Sequence, residues 1–292
     1  LEEGILLELR FSFDQYINLR PIKLHNKNLT PIKNKENNEI NITVIRENTE
    51  GLYSRSGGFL KKGTKDEVAV QEMINTRKGV ERIIKYAYEY VKNHKQPKKL
   101  TLSDKSNVLT YAHDLWQRVY SEVGQQYDIK TEHVLVDAMT MELVRNPEKF
   151  DVIVTCNMFG DIITDLGAEL QGGMGLAASA NINPNGISMF EPVHGTAPDI
   201  AGKNIANPIA SISAAKMMVK QLGYKKESKI IEKAIQKTLK SNTFTPDLGG
   251  NYKTNEVGNK IIENIEKEPF DHKWGDMTVG TLSDPIYSPI GS

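Results

Sequence analysis

The stretch DVIVTCNMFGDIITDLGAEL, residues 151–170, decides the fold of this chain. Its first residues form an apolar run, which predicts a buried strand. The residues that follow have helical spacing, with Ile162, Leu166 and Leu170 recurring on one side. A buried strand that passes directly into a helix is the unit from which parallel α/β sheets are built, so we expect this class of fold.

A pair of carboxylates lies near the start of the predicted helix. Asp161 and Asp165 are four residues apart, so they project from the same helix face. Oxygen ligands of this kind suit Mg²⁺ or Mn²⁺ rather than zinc. A solvated helix face is the common alternative for such a pair, and the surrounding motifs decide between the two readings.

Further strands and helices are predicted on both sides of this unit. Strands are expected over residues 42–45, 99–105 and 133–139. The strand ending at 105 should lead into a helix that contains Val108 and Leu109. Reactive residues at the carboxyl ends of parallel strands are where sites form in such sheets.

Glycine-rich segments separate these units. Residues 57–76 combine glycines with alternating apolar residues, which predicts antiparallel strands or an arm. Residues 172–186 and 188–208 are rich in Gly and Pro and are predicted as loops. Helices are expected to dominate from there to residue 267.

Composition and charge exclude several classes of protein. Lys plus Arg equals Asp plus Glu at 37 each, so no overall field favours nucleic acid or an anionic membrane. No apolar stretch of about 18 residues is present, and no signal peptide is recognised. The single cysteine, Cys156, is expected to be a small buried side chain. We therefore expect a cytoplasmic protein.

The start of the chain also carries information. Leu1 opens inside an apolar, helix-like pattern, so we expect that an upstream portion of the natural chain is absent. No GxGxxG motif follows a strand and no GxxxxGK[ST] motif is present, so neither a Rossmann site nor a P-loop is indicated.

Three arginines occupy predicted element ends. Arg10, Arg20 and Arg46 each present a planar fork that binds a carboxylate through two hydrogen bonds. Three such forks suggest a substrate with more than one carboxylate. Surface ion pairing is the alternative for each arginine taken alone.

Seven motifs in order make the chain resemble the β-decarboxylating dehydrogenases of the isopropylmalate and isocitrate type. They are INLRP (17–21), VIRENTEGLY (44–53), DKSNVL (104–109), VDAMTM (136–141), NMFGDIITDL (157–166), EPVHGTAPDIAGKNIANP (191–208) and TPDLGG (245–250). The resemblance implies an α/β protein with the two-domain isopropylmalate dehydrogenase-like fold and a mostly parallel sheet, not a classical Rossmann fold. Several long motifs in sequence are more specific than any one of them.

The resemblance also implies a division into domains. Residues 1–15 and 172–267 would form the large, cofactor-binding domain, without its N-terminal part. Residues 16–171 would form the small domain, with a dimerisation arm and the metal and substrate residues. Residues 268–292 have no counterpart in the family and are interpreted as a tail.

The implied substrate is a 2-hydroxy acid with two or three carboxylates, held by Arg10, Arg20 and Arg46. The segment LEEGILLELRF is most similar to the 3-isopropylmalate branch, in which its apolar residues line an isopropyl pocket. The expected lining residues are Glu3, Leu6, Leu7 and, from the partner subunit, Val108. The expected reaction forms 4-methyl-2-oxopentanoate in leucine biosynthesis.

The resemblance assigns the metal and the proton transfers to five residues. Asp161 and Asp165, with Asp137 of the partner subunit, would hold Mg²⁺ or Mn²⁺. Lys105 of the partner subunit would remove the hydroxyl proton, and Tyr53 would protonate the enol. An active homodimer with shared sites is therefore expected.

The loop HGTAPDIAG resembles the family's adenosine site. A carboxylate accepts hydrogen bonds from ribose hydroxyls and repels a 2′-phosphate, so Asp199 favours NAD over NADP. NADP-dependent relatives tend to have Lys and Tyr at the positions of Asp199 and Ile200. The other residues expected to bind the cofactor are His194, Gly195, Ala197, Asn207, Asp247 and Asn107.

Other functions stay open at this point. D-malate or tartrate oxidation is the nearest alternative, followed by isocitrate or homoisocitrate oxidation. A noncatalytic subunit or an inactive truncated homologue is a different class of alternative. Such subunits usually lose catalytic residues, whereas Tyr53, Lys105 and the three acids are all present here.

Overall fold

The computed structural model describes residues 5–94 and 98–268. Its strands are β1 (Ile17–Lys23), β2 (Asn41–Glu47), β3 (Gly57–Leu60), β4 (Val68–Gln71), β5 (Leu100–Asp104), β6 (Thr131–Leu135), β7 (Val152–Thr155), β8 (Ala178–Ile182) and β9 (Met189–Pro192). Its helices are α1 (Leu7–Ser12), α2 (Arg77–Lys92), α3 (Ala112–Gly124), α4 (Val136–Arg145), α5 (Asn157–Gln171), α6 (Ile209–Gln221), α7 (Lys225–Lys240) and α8 (Thr254–Glu266).

A seven-stranded mixed sheet organises these elements, in the order β6-β5-β7-β2-β1-β8-β9. Strands β6, β5, β7 and β2 pair in parallel. Strand β1 pairs antiparallel with β2 and β8, and β9 pairs antiparallel with β8. The α/β class is confirmed, and the parallel part is confined to one half of the sheet. That half contains the buried strand β7, which leads directly into α5.

Apolar clusters cover both faces of this sheet. Helices α2 and α3 pack over one face around residues such as Ile84 and Trp116. Residues of α4 and α5, including Leu143 and Ile163, pack with β1, β2 and β7 in a second cluster. The third cluster joins α6, α7 and α8. The predicted domain boundaries at 15/16 and 171/172 stay a prediction.

The predicted arm is a two-stranded hairpin of β3 and β4. All eight residues of the two strands are exposed, among them Phe59, Leu60, Val68 and Val70. No helix within the described residues has the length and apolar character needed to cross a membrane. Because these strand residues are exposed, the β3–β4 hairpin presents apolar side chains at the surface of the single chain.

Three local expectations were wrong. Segments predicted as loops contain the buried strand β8 and the half-buried strand β9. Asp137 lies in the first turn of α4 rather than at the end of a strand, because β6 ends at Leu135. Val108 and Leu109 lie in a turn before α3, where both backbone amides donate to the carbonyl of Lys105.

Candidate active site

The site begins with Arg46 near the end of β2. Strands β2 and β7 are parallel, with Arg46 opposite Thr155, so the guanidinium lies beside the first turn of α5. Its Nε and Nη2 both donate to Oδ1 of Asn157, at 3.0 and 2.8 Å. Its Nη1 donates to Oδ1 of Asp161. The side chain is 1 % exposed, so these partners replace its water.

A glycine allows this close approach between β2 and α5. A Cβ at Gly160 would lie 2.5 Å from Cγ of Arg46 and 2.6 Å from its Cβ. Any larger residue would push α5 away from the strand. The glycine of NMFGD therefore sets the position of the arginine and of the neighbouring Asp161.

Arg20 reaches the same helix from β1. Its Nε donates to Oδ1 of Asn18 at 2.7 Å and its Nη1 to Oγ1 of Thr164 at 2.6 Å. It also lies 3.3 Å from Asp161 and 3.8 Å from Asp165. Burial, with the charge of Arg46, lowers the pKa of Arg20 to about 10.

Arg10 approaches from α1. Its Nη2 lies 3.4 Å from Oε1 of Glu191 on β9, an oxygen that also accepts from Nδ2 of Asn181 at 2.7 Å. Burial and then the charge of Arg46 lower the pKa of Arg10. The three predicted arginines are thus all buried and mutually repelling, an environment that favours an anionic ligand.

Tyr53 lies on the other side of Asp161. It belongs to a short 3₁₀ turn, Leu52–Ser54, and its hydroxyl donates to Oδ2 of Asp161 at 2.8 Å. The guanidinium of Arg46 lies 5.2 Å from the centre of its ring. Burial and this hydrogen bond raise the pKa of Tyr53, which keeps the phenol protonated at neutral pH.

The two acids of α5 have opposite protonation tendencies. Burial raises the pKa of Asp161, but Arg46, Tyr53 and Arg20 together outweigh burial, and the pKa falls below its usual value. Burial and the charge of Asp161 raise the pKa of Asp165. A bound divalent cation would relieve this crowding of two carboxylates, so the oxygen-only pair fits Mg²⁺ or Mn²⁺.

Lys105 and Asp137 lie together elsewhere on the parallel half of the sheet. Lys105 follows β5, Asp137 follows the neighbouring β6, and their Nζ and Oδ1 are 2.8 Å apart. The hydrogen bond from Lys105 lowers the pKa of Asp137. Within residues 5–94 and 98–268, no group of three His, Cys, Asp or Glu side chains could hold a metal. Asp137 therefore does not join the acids of α5 in one chain.

The predicted apolar lining is divided in the same way. Leu6 and Leu7 are half-buried beside Arg10, whereas Val108 is 64 % exposed on the turn after Lys105. Glu3 lies outside the described residues. A single chain therefore presents one part of the expected pocket at each of two separate places.

The predicted cofactor residues cluster in two groups. Asn207 is buried and donates from Nδ2 to Oδ2 of Asp247 at 3.0 Å, which ties the EPVHG loop to the TPDLGG turn. His194 is half-buried, with Nδ1 at 2.9 Å from the carbonyl of Gly195. The remaining members on this loop are Ala197, at φ +44°, and Asp199 and Ile200 in a 3₁₀ turn. Asn107 is exposed on the turn after β5, apart from these loop residues in the sequence.

Sequence reasoning missed the side chains that hold the arginines in place. They are Asn18, Asn157, Thr164 and Glu191. All of them lie inside or next to the motifs that carry the arginines and acids. Polar residues near the acid pair on α5 are a signal that could have identified Asn157 and Thr164, but not Asn18 or Glu191.

Comparisons with known proteins identify the family of this chain. The family profile described as isocitrate/isopropylmalate dehydrogenase matches residues 2–261. The 3-isopropylmalate dehydrogenase of Thermobifida fusca is 48 % identical over 272 residues, which are 92 % of this chain and 75 % of that protein. The 3-isopropylmalate dehydrogenase of Streptomyces coelicolor is 45 % identical over 268 residues, 91 % of this chain and 75 % of that protein.

A solved structure has the same fold. The crystal structure of isocitrate dehydrogenase from Methylococcus capsulatus superposes with a TM-score of 0.83 at 37 % identity, covering 90 % of this chain and 77 % of that one. The fold, the ordered motifs and the profile match point to one conclusion. This chain belongs to the isocitrate/isopropylmalate dehydrogenase family.

Proposed function

We propose that this chain catalyses the NAD-dependent oxidative decarboxylation of 3-isopropylmalate to 4-methyl-2-oxopentanoate, with Mg²⁺ or Mn²⁺, in leucine biosynthesis. The observation that carries the proposal is the convergence of buried Arg20 and Arg46 on Asp161, with Tyr53 on the same carboxylate. Relatives named 3-isopropylmalate dehydrogenase, 44 to 49 % identical to this chain, support the choice of substrate.

The arginines bind and orient the substrate in this proposal. A malate unit carries two carboxylates, and forks of Arg10, Arg20 and Arg46 can grip them with charge-assisted hydrogen bonds. Burial of the guanidinium groups strengthens each bond, because less water competes. The apolar residues Leu6 and Leu7 then face the isopropyl group.

The chemistry proceeds in three steps: oxidation, decarboxylation and protonation. The partner subunit's Lys105 takes the hydroxyl proton while C2 loses a hydride, so the alcohol becomes a ketone. The C3–carboxylate bond then breaks, CO₂ leaves, and the electron pair of that bond forms the enolate across C2 and C3. Tyr53 gives its phenolic proton to C3, which suits a group whose pKa lies above its usual value.

The cofactor and a metal ion would supply the remaining chemistry. When bound, NAD supplies the hydride acceptor and a divalent cation supplies Lewis-acid polarisation of the C2 oxygen. Asp161 and Asp165, with the partner's Asp137, would hold the cation. Asp199, exposed at its turn, would accept hydrogen bonds from the ribose hydroxyls.

The proposed active unit is a homodimer. The exposed hairpin of β3 and β4 is one surface that supports it. A second is the face of α4 and α5, where Met141, Val144 and Ile162 are about half exposed. This second face lies on the helices that carry Asp137, Asp161 and Asp165, so burying it against a copy would bring acids of two chains together. The proposed cytoplasmic location rests on the sequence alone.

Substrate preference tests the proposal. In the full-length protein with NAD and Mg²⁺, kcat/KM should be highest for 3-isopropylmalate among 3-isopropylmalate, D-malate, tartrate and isocitrate. Leu6→Ser should lower kcat/KM about 10-fold or more for 3-isopropylmalate but little for D-malate, which lacks the isopropyl group. Ile5→Ser, at an exposed neighbour, is the matched control. A higher kcat/KM for any of the other three acids would contradict the proposal.

A further inference from the structure

A buried histidine lies directly behind the turn that carries Lys105. His113, in the first turn of α3, is 0 % exposed. Its Nδ1 is 2.7 Å from the backbone nitrogen of Lys105, so the amide donates and the ring nitrogen accepts. None of the motifs that carry the family resemblance includes His113.

This contact fixes the tautomer of the ring. An Nδ1 that accepts a hydrogen bond carries no proton, so the neutral imidazole holds its proton on Nε2. Burial lowers the pKa of His113, which is consistent with the neutral form. Among the residues that the structure describes, Nε2 is buried without a hydrogen-bond partner. Nδ1 of the ring thus accepts the hydrogen bond of the Lys105 amide, while Nε2 makes no hydrogen bond to the described residues.

Further hydrogen bonds hold the turn around Lys105. Buried Asp104 accepts from the backbone amide of Ser106 at 3.0 Å, from Nε2 of Gln117 at 3.1 Å and from Nε2 of His133 at 2.8 Å. The carbonyl of Lys105 accepts from two following amides. His113 is the side chain that accepts the hydrogen bond of the Lys105 amide, whose nitrogen is bonded to the Cα that carries the reactive side chain.

The other side of the ring meets α5. The imidazole of His113 and the ring of Phe159 are 5.5 Å apart at an angle of 86°. Phe159 precedes Asp161 by two residues. His113 thus stands between the turn of Lys105 and the helix of Asp161, which serve different active sites if Lys105 acts in the partner's site.

We infer, resting on the function proposed above, that His113 is a positioning residue that holds the Lys105 backbone so that the amine reaches the substrate hydroxyl across the dimer. Loss of the acceptor lets the turn shift, and a shift of about 1 Å in a reacting group lowers the rate by about 100-fold. Substrate binding by the arginines stays intact, because His113 contacts none of them in the hydrogen bonds described.

Three substitutions separate position from packing. His113→Leu removes the acceptor and keeps apolar volume, and His113→Gln is the second deletion if the leucine variant does not fold. His113→Asn keeps an acceptor near the place of Nδ1. We expect kcat to fall at least about 10-fold with Leu or Gln and to recover with Asn, while KM changes by less than about twofold. In a Lys105→Ala background, His113→Leu should lower kcat no further.

Mixed dimers provide the decisive test. An Asp161→Ala subunit and a Lys105→Ala subunit together form one intact site, whose lysine comes from the Asp161→Ala chain. His113→Leu added to the Asp161→Ala chain should lower the activity of this mixed dimer at least about 10-fold. The same change on the Lys105→Ala chain should leave activity unchanged. An equal loss in both arrangements would overturn the inference. A loss confined to the Lys105→Ala chain would also overturn it and would assign His113 to support of α5.

The two hypotheses fail in different ways. Absence of 3-isopropylmalate turnover by the wild-type dimer with NAD and Mg²⁺ would refute the proposed function. Wild-type kcat in Lys105→Ala would refute the role assigned to Lys105, and the positioning role with it. An inactive Lys105→Ala with wild-type kcat in both His113→Leu and His113→Gln would refute the positioning role alone.

Discussion

The hydroxyl of Tyr53 lies 2.8 Å from Oδ2 of Asp161, the carboxylate whose Oδ1 is bound by Arg46. The phenol is the donor, and this hydrogen bond together with burial raises its pKa. The carboxylate of Asp161 thus holds two groups in fixed positions. They are the guanidinium of Arg46, proposed to bind substrate, and the phenol of Tyr53, proposed to donate a proton. Substrate and metal would compete for these partners, which frees the phenol proton for the enol.

Tyr53→Phe should slow turnover without stopping the first oxidation. Loss of a general acid lowers kcat by about 10²- to 10⁴-fold, while KM changes little because the arginines remain. Stopped-flow absorbance should show a rapid burst of NADH formation in the first turnover, followed by slow steady-state formation of NADH. Tyr111→Phe, at a tyrosine that is 93 % exposed, should behave as wild type. A steady rate within twofold of wild type in Tyr53→Phe would rule out its role as the acid.

Mixed dimers should restore activity to two inactive variants. Lys105→Ala and Asp161→Ala damage opposite halves of a shared site, so random reassociation should recover about a quarter of wild-type activity, from the symmetry of two sites per dimer. Asp161→Ala mixed with Asp165→Ala is the matched control, because every site then keeps a damaged α5. Activity after reassociation of separately inactive proteins is the measurement. Equal recovery in both mixtures would contradict shared sites.

Asp165→Asn should weaken the binding of Mg²⁺ without destabilising the fold. The substitution removes one charged oxygen from a crowded pair, so the Mg²⁺ concentration for half-maximal activity should rise at least about tenfold. A chelator should abolish wild-type activity, and added Mg²⁺ or Mn²⁺ should restore it. Glu169→Gln, on the same helix, serves as the control variant. An unchanged Mg²⁺ dependence would remove Asp165 from the metal site.

Cofactor choice should follow the charge at Asp199. Replacing Asp199 with Lys and Ile200 with Tyr exchanges repulsion of a 2′-phosphate for attraction, so kcat/KM should rise for NADP and fall for NAD, each by about tenfold or more. Initial rates with both cofactors at fixed substrate provide the measurement. Asp199→Asn, which only removes the charge, should shift the ratio less. No change in the ratio would contradict contact between Asp199 and the ribose.

Stability should fall in mild acid because of His25. Burial and the charges of Lys23 and Lys216 lower the pKa of His25 to about 4, so the unfolded state binds a proton first as pH falls. The free energy of unfolding should therefore decline by up to about 3 kcal/mol between pH 6.5 and 4, beyond the contribution of other groups. Above pH 6.5 the histidine adds no pH dependence.

His25→Gln measures this contribution. Urea unfolding at pH 7 and pH 5 should show a smaller pH difference for this variant than for wild type, and His194→Gln should keep the wild-type difference. An identical difference in His25→Gln and wild type would show that another group controls the acid response.

The motifs indicated where the arginines and acids lie better than they indicated which side chains hold them in place. The acid pair on α5 follows from helical spacing, and the approach of Arg46 follows from parallel strands. The contacts of Asn157 and Thr164 with the arginines join residues more than 100 positions apart, and such contacts leave no periodic signal in the sequence. The pairing of Lys105 with Asp137, at a shorter separation in the sequence, leaves no periodic signal either.

Strand β8 shows why part of the sheet was missed. Its sequence, ASANI, alternates apolar and polar residues over only five positions, four of them small or polar, and it lies between glycine- and proline-rich segments. All five residues are nevertheless buried, because Nδ2 of Asn18 on β1 donates to Oγ of Ser179 at 3.2 Å and to Oδ1 of Asn181 at 2.8 Å. A distant strand satisfies the polar side chains, which local pattern cannot reveal.

The exposed hairpin of β3 and β4 bears on how cells make this protein. In the proposed homodimer, a newly synthesised chain would expose Phe59, Leu60, Val68 and Val70 until a second copy covered them. Exposed apolar edge strands also pair with other unfolded or partly folded chains, so correct dimer assembly competes with aggregation. Yield of active material should therefore depend on how fast ribosomes deliver chains, and gentle expression with added chaperones should favour it.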